Sequence, residues 1–176
     1  MKSIKKVTAL IGSAVALTLL AAGPASALGE RSRSQTFVLY GAGSTFDHPI
    51  SVFAAGPISG VGSFEIVEER SGPHGDDFTA ELIFPGRGTV TMEVRGQSSI
   101  TVDPTSCAGS QTGRVHWTIT GGTGQFANAS GSGTGTYTGR FVVERGASGC
   151  VEDDPVVSVF VARLTGTASL SAAQAA

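Results

Sequence analysis

Short runs in which apolar and polar residues alternate recur along the chain from residue 36 onward. Phe78, Ala80, Leu82 and Phe84 share one face of such a run, with Thr79 and Glu81 on the other. Val90, Met92 and Val94 stand opposite Thr89, Thr91, Glu93 and Arg95. Val115, Trp117 and Ile119 stand opposite Arg114, His116, Thr118 and Thr120. Further β-rich runs cover Thr36–Tyr40, Pro49–Ala55, Ile58–Glu69, Ser98–Val102, Gly135–Glu144 and Val156–Leu164. Turn signals separate them, among them Gly56-Pro57, Pro85-Gly86-Arg87-Gly88, Asp103-Pro104 and Gly121-Gly122. No window after residue 27 has a helical period. Eight or nine short strands with regular turns predict an all-β barrel or sandwich. An eight-stranded antiparallel barrel is preferred, because closure removes exposed edges. The glycines inside these runs (Gly60, Gly62, Gly131, Gly133, Gly135, Gly139) are expected at bends and bulges of a strongly curved sheet. Val156–Val161 is apolar on both faces, so its outer face is expected to be covered, either by a neighbouring subunit or by the chain's own termini.

The start of the chain reads differently. Lys2, Lys5 and Lys6 precede an apolar run from Val7 to Ala22, and Ala25-Ser26-Ala27 follows. This is the pattern of a secretory signal peptide cleaved after Ala27. The expected organisation is a leader at 1–27, an N-terminal extension at 28–35, a barrel domain at 36–167 and a flexible tail at 168–176. The expected location is extracellular. The total of 176 residues allows one domain of ordinary size. The formal net charge is −2. Without the leader's three lysines, nine arginines face fourteen acids, a balance of −5. That balance disfavours nucleic acid as a partner. No later stretch is long and apolar enough for a helical membrane span. An all-arginine basic set fits a GC-rich bacterial genome. Cys107 and Cys150 both lie in the exported part, beside Gly or Ser in expected loops. They predict a structural disulfide, worth on the order of 3–4 kcal/mol by loop entropy.

Candidate chemistry is sparse. Gly122-Thr123-Gly124-Gln125-Phe126-Ala127 imitates a dinucleotide fingerprint, but Ser130–Gly135 cannot supply the helix that must follow, and no cofactor is expected. His48, His74 and His116 lack the spacing of a zinc pair, and no metal is expected. The acidic groups Asp76-Asp77 and Glu152-Asp153-Asp154 read as solvated loop residues. His116 lies mid-strand and, if it faces a lumen, could polarise a substrate. Glu65, Glu81, Glu93, Arg95, Arg140 and Arg163 are also mid-strand. They form either the wet outer face or a charged pair inside a cavity. The catalytic candidates are therefore His116, Glu81, Glu93 and Arg140. Trp117 and Tyr137 are candidates for contact with a ligand.

Three segments together carry a family resemblance. Gly56–Gly62 running into Phe64–Val67, then Asp77–Phe84 with Gly88–Gly96, and above all Thr118–Gly131, resemble the dirigent and allene oxide cyclase-like barrel superfamily. Exported actinobacterial proteins carry a similar pattern. Gly121, Gly122, Gly124 and Phe126 match the superfamily's hallmark turn. The resemblance spans roughly residues 36–165. It implies an eight-stranded antiparallel barrel around an elongated apolar cavity, often trimeric, that cyclises an epoxide or steers coupling of phenoxy radicals. Ala127 stands where dirigent proteins have Arg, and Asp47 is the only acid near their early acidic pair, so no catalytic residue is carried over. Three readings stay open: a binder of a small apolar or aromatic ligand in the lumen, a cyclase- or dirigent-type cavity enzyme, and a structural or surface-interaction protein with a filled barrel. An open apolar lumen favours the first, an open lumen holding His116 and a carboxylate the second, and a lumen packed by Phe and Leu the third.

Overall fold

The computed structural model describes residues 32–43, 50–72 and 75–171, with the side chains of 71, 72, 75, 76 and 152–154 excepted. The leader at 1–27, Asp47, His48 and His74 lie outside the described residues, as do the side chains of Asp76 and of the acidic run 152–154. Eight strands close into one antiparallel barrel: β1 (Arg33–Gly43), β2 (Ile50–Ala55), β3 (Gly60–Gly72), β4 (Gly75–Phe84), β5 (Gly88–Val102), β6 (Ala108–Gly122), β7 (Ala129–Gly146) and β8 (Gly149–Leu170). Each strand pairs with its neighbours in sequence, and β8 returns to β1 through Phe37–Leu164 and Leu39–Ala162. A 3-10 turn at Gly124–Phe126 joins β6 to β7.

Several boundaries differ from the sequence expectation. Thr89–Arg95 and Ser98–Val102 are one strand, because Gly96 keeps the ladder with β6 by pairing with Val115. Residues 33–35, expected in an extension, begin β1. Gln35 is fully buried there. Its side-chain amide donates to the Ile58 carbonyl at 2.9 Å and accepts from the Ile58 N–H at 3.0 Å. This polar side chain is tolerated inside because its hydrogen bonds are satisfied. It ties β1 to the turn between β2 and β3. Residues 168–170, expected in a fraying tail, complete β8, and Ala168 is fully buried.

All eight strands contribute to one contiguous buried cluster. An eight-stranded barrel is just wide enough for side chains to fill it. Here Phe37 from β1 and Trp117 from β6 meet inside the barrel, edge to face, with ring centroids 5.5 Å apart. Two strands separate them around the wall. The Trp117 indole lies over Gly133 of β7 and Gly166 of β8, which are partners in the ladder. A Cβ at either glycine would sit 2.7 Å from the Trp117 ring and within 2.2 Å of a backbone carbonyl oxygen of the facing strand. Only bare backbone leaves room for this ring. The indole N–H donates to the Thr134 carbonyl at 3.3 Å. The same device recurs where Tyr137 covers Gly113 and Phe141 covers Gly109. Much of the strand glycine therefore makes room for large inward side chains, beyond the bends expected of it.

The far halves of β5 to β8 extend past the barrel. The register of β4 with β5 ends at Asp77 and Arg95, and that of β1 with β8 at Gly43 and Ser158. The Cys107–Cys150 disulfide clamps the two hairpin tips of this extension, with Cα atoms 5.4 Å apart. The clamp has its own small core of Cys107, Phe141 and Val143. Asp103 organises the turn before Cys107 by accepting the Thr105 N–H at 2.7 Å. That backbone hydrogen bond, helped by the Ser106 side chain, holds the Asp103 carboxyl below its usual range.

Three outcomes are expected. Gly166→Ala should destabilise the protein by about 2–3 kcal/mol through overpacking, and Trp117→Ala by about 3–5 kcal/mol through a cavity, both read by urea unfolding. Because the folded Asp103 carboxyl is the stronger acid, its stabilisation is present above the unfolded value of about 4 and fades as pH falls through the lower folded value. The Tm gap between wild type and Asp103→Ala should hold from pH 7 to about 5 and shrink below about 4.

Candidate functional site on the outer wall of β6, β7 and β8

Strand alternation decides which side chains can act. In β6, Val115, Trp117 and Ile119 are buried, while Arg114, His116, Thr118 and Thr120 are exposed. The outward set continues on β7 as Ser130, Ser132, Thr134, Thr136, Thr138 and Arg140. On β8 it continues as Val159, Val161, Arg163, Thr165 and Thr167. The register aligns these residues in rows. Arg114, Thr136 and Arg163 form one row, and His116, Thr134 and Thr165 the next.

A groove of about 480 Å³ lies along these two rows. Its short floor is Thr134 and Thr136, and its long walls are Arg114 and His116 on one side and Arg163 on the other. Three strands make it because β7 offers only short hydroxylic side chains between longer ones on β6 and β8. Strand spacing puts the Cα atoms of Arg114 and Arg163 ~9–10 Å apart. The ion pairs among the described residues are Arg70–Glu68 at 2.8 Å and Arg95–Glu93 at 3.4 Å. Arg114 and Arg163 therefore have no acidic partner among the described residues, and their guanidinium donors face solvent. A second open groove, of about 640 Å³, lies further along the same strands and includes Asp103, Ser110, Arg140, Val142, Val157 and Val159.

The sequence-derived candidates fall into two groups. His116, Glu81, Glu93 and Arg140 all point outward, from β6, β4, β5 and β7. They are not brought together. Glu81 pairs with Thr91 and Glu65 in the ladders, Glu93 bonds Arg95, and Arg140 aligns with Ser110. None enters the lumen, so the pairing of His116 with a carboxylate inside a cavity does not form. Strand parity is the physical reason, since each shares its run with larger apolar residues that take the inner face. Trp117 and Tyr137 do face inward, but as packing. Tyr137 leans on Phe160 with centroids 5.6 Å apart.

The hallmark turn closes one end of the barrel. Phe126 is fully buried, 5.1 Å from the Phe84 ring, with the Arg87 guanidinium 5.1 Å above its own. Gly124 takes φ 57 and lies so close to Arg87 that a Cβ would meet the Arg87 carbonyl at 2.4 Å. A Cβ at Gly122 would meet the Phe126 carbonyl at 2.3 Å, whereas Gly121 has open space around it. The Thr123 side chain and N–H both bond Thr89. Gly122, Gly124 and Phe126 thus act as a plug.

The outer face of Val156–Val161 is not covered by the described chain. Val157, Val159 and Val161 are 49%, 40% and 40% exposed. The described termini meet at the opposite end, where Arg33 pairs with Ala168, whereas Val159 pairs with Ala42. Tyr40, the partner of Val161, and Phe53 on β2 extend this apolar strip. Among the described residues no group of three or more His, Cys, Asp or Glu could hold a metal ion, and no helix is long and apolar enough to cross a membrane.

Grouping Arg114, His116 and Arg163 required knowing which strand lies beside which. The alternation alone placed Arg114 and His116 on one face, and gave no sign that Arg163 faces them across Thr136. If these polar residues serve only the outer wall, His116→Ala, Glu81→Gln and Arg140→Gln should each shift unfolding free energy by less than about 0.5 kcal/mol, measured in urea. No protein-family model, curated protein or solved structure matches this chain.

Proposed function

We propose that this protein is a secreted, disulfide-braced β-barrel whose interior is structural and which works by binding through its outer wall. The observation that carries the reading is the single buried cluster fed by every strand, in which Trp117 reaches over the glycines of β7 and β8 to meet Phe37. A lumen occupied this way leaves little space for an apolar ligand, and among the described residues it holds no ionisable pair to work on one. Uptake of a small apolar ligand, and cyclase- or dirigent-type chemistry, both need an open cavity. Neither is favoured. The outer wall offers the opposite, with a basic, hydroxyl-floored groove on β6 to β8 and an apolar strip at Val159, Val161 and Tyr40. Export is supported by the leader pattern at 1–27 and by the disulfide, which persists in oxidising compartments.

Trp117 is the only tryptophan, so its fluorescence reports the lumen directly. Its emission should be blue-shifted, poorly quenched by acrylamide, and unchanged when 1-anilinonaphthalene-8-sulfonate or a phenolic monomer is added. Stoichiometric quenching or a shift of Trp117 emission by such a probe, with the fold intact by circular dichroism, would overturn the packed-interior reading.

A further inference from the structure

We propose that the outer face of β6, β7 and β8 binds a linear acidic polysaccharide laid along the strands. This deepens the outer-wall reading and rests on it. The groove over Thr134 and Thr136 has Arg114 and His116 on one wall and Arg163 on the other. Both arginines lack an acidic partner among the described residues, which leaves their forked donors free for a carboxylate. The floor and surroundings are hydroxylic: Thr112, Thr118, Ser132, Thr134, Thr136, Thr138, Thr165 and Thr167 all face outward. Hydroxyls donate and accept, as sugar hydroxyls do, so they suit a polyhydroxylated chain better than a bare ion.

The cationic positions extend along the strands. Arg140 lies four residues along β7 from Thr136 and lines the second groove, so a ligand reaching both must be elongated. A free inorganic anion would engage only one of them. Nucleic acid is the other polyanion to consider. Single-stranded nucleic acid is held by aromatic stacking on a basic track. The outward positions of β6, and of β7 and β8 between residues 130 and 167, hold no Phe, Tyr or Trp, and His116 is the single ring among them: Trp117, Tyr137, Phe141 and Phe160 all point inward. The chain is also net negative, so attraction for anions is local to this groove.

The test uses the full exported chain with polygalacturonate as the probe, in about 0.15 M salt, where distant surface charges are screened. Titration calorimetry should show binding that disappears with the fully methyl-esterified polymer, which keeps the backbone and loses the charge. The double variant Arg114→Gln with Arg163→Gln should weaken binding roughly tenfold or more. Arg33→Gln with Arg70→Gln removes the same charge elsewhere and should change it less than about twofold. Trp117 emission should stay constant throughout. Four results would overturn the proposal: no binding by a folded protein, equal binding of the esterified polymer, equal loss in the control pair, or tighter binding of an oligothymidylate. Each leaves the packed-interior reading standing, because that reading fails only if Trp117 responds to an apolar probe.

Discussion

Trp117 rests on bare backbone, and the rest of the barrel is arranged to make that possible. An indole is too large for the inside of an eight-stranded wall unless neighbouring strands give up their inward side chains. Gly133 and Gly166 do so as a facing pair, letting the ring pass over β7 and β8 and reach Phe37 on β1. The close approach also brings β7 and β8 together where any Cβ would strike a carbonyl. Gly113 beneath Tyr137 and Gly109 beneath Phe141 repeat the pairing toward the other end. Large against absent, strand by strand, fills the interior without the overpacking that would open the wall.

The same stretch of β7 has a second face. Ser130-Gly131-Ser132-Gly133-Thr134-Gly135-Thr136 alternates glycine inward with a hydroxyl outward. The inward positions admit Trp117 and Leu164, and the outward ones form the low floor between Arg114 and Arg163. Core packing and surface shape are thus set by one short segment through its two parities.

Much of this was legible from alternation. The runs around Leu82, Met92 and Trp117 stated which residues share a face, and the structure turns the apolar faces inward. The disulfide followed from the pairing expected of Cys107 and Cys150. What alternation cannot supply is the register between strands. Whether Trp117 meets Gly133 and Gly166 or bulkier residues depends on pairings across 16 and 33 positions, and the alignment of Arg114 with Arg163 depends on pairings across 22 and 27. The period-2 glycines of β7 carried a readable hint, since glycine confined to one parity marks a face under a large neighbour. Gln35 was unreadable for another reason. Its burial depends on the Ile58 backbone, supplied by a distant turn. The hallmark turn at Gly121–Phe126 was legible as a motif, but its role as an end plug needed the Arg87 hairpin against which it closes.

The four-stranded extension above the barrel reopens what closure had removed. Once β4 and β1 stop, no strand among the described residues pairs with the outer edge of β5 or of β8, and the disulfide joins the hairpin tips without pairing either edge. The two edges are not equivalent. The ladder of β8 with β7 is broken by bulges near Val143, and Pro155 has no N–H to offer. Ser99–Val102 on β5 is regular, and Ile100 is 59% exposed. An incoming strand from a second molecule would therefore find its template on β5, so the molecule is chemically one-sided for edge-to-edge growth.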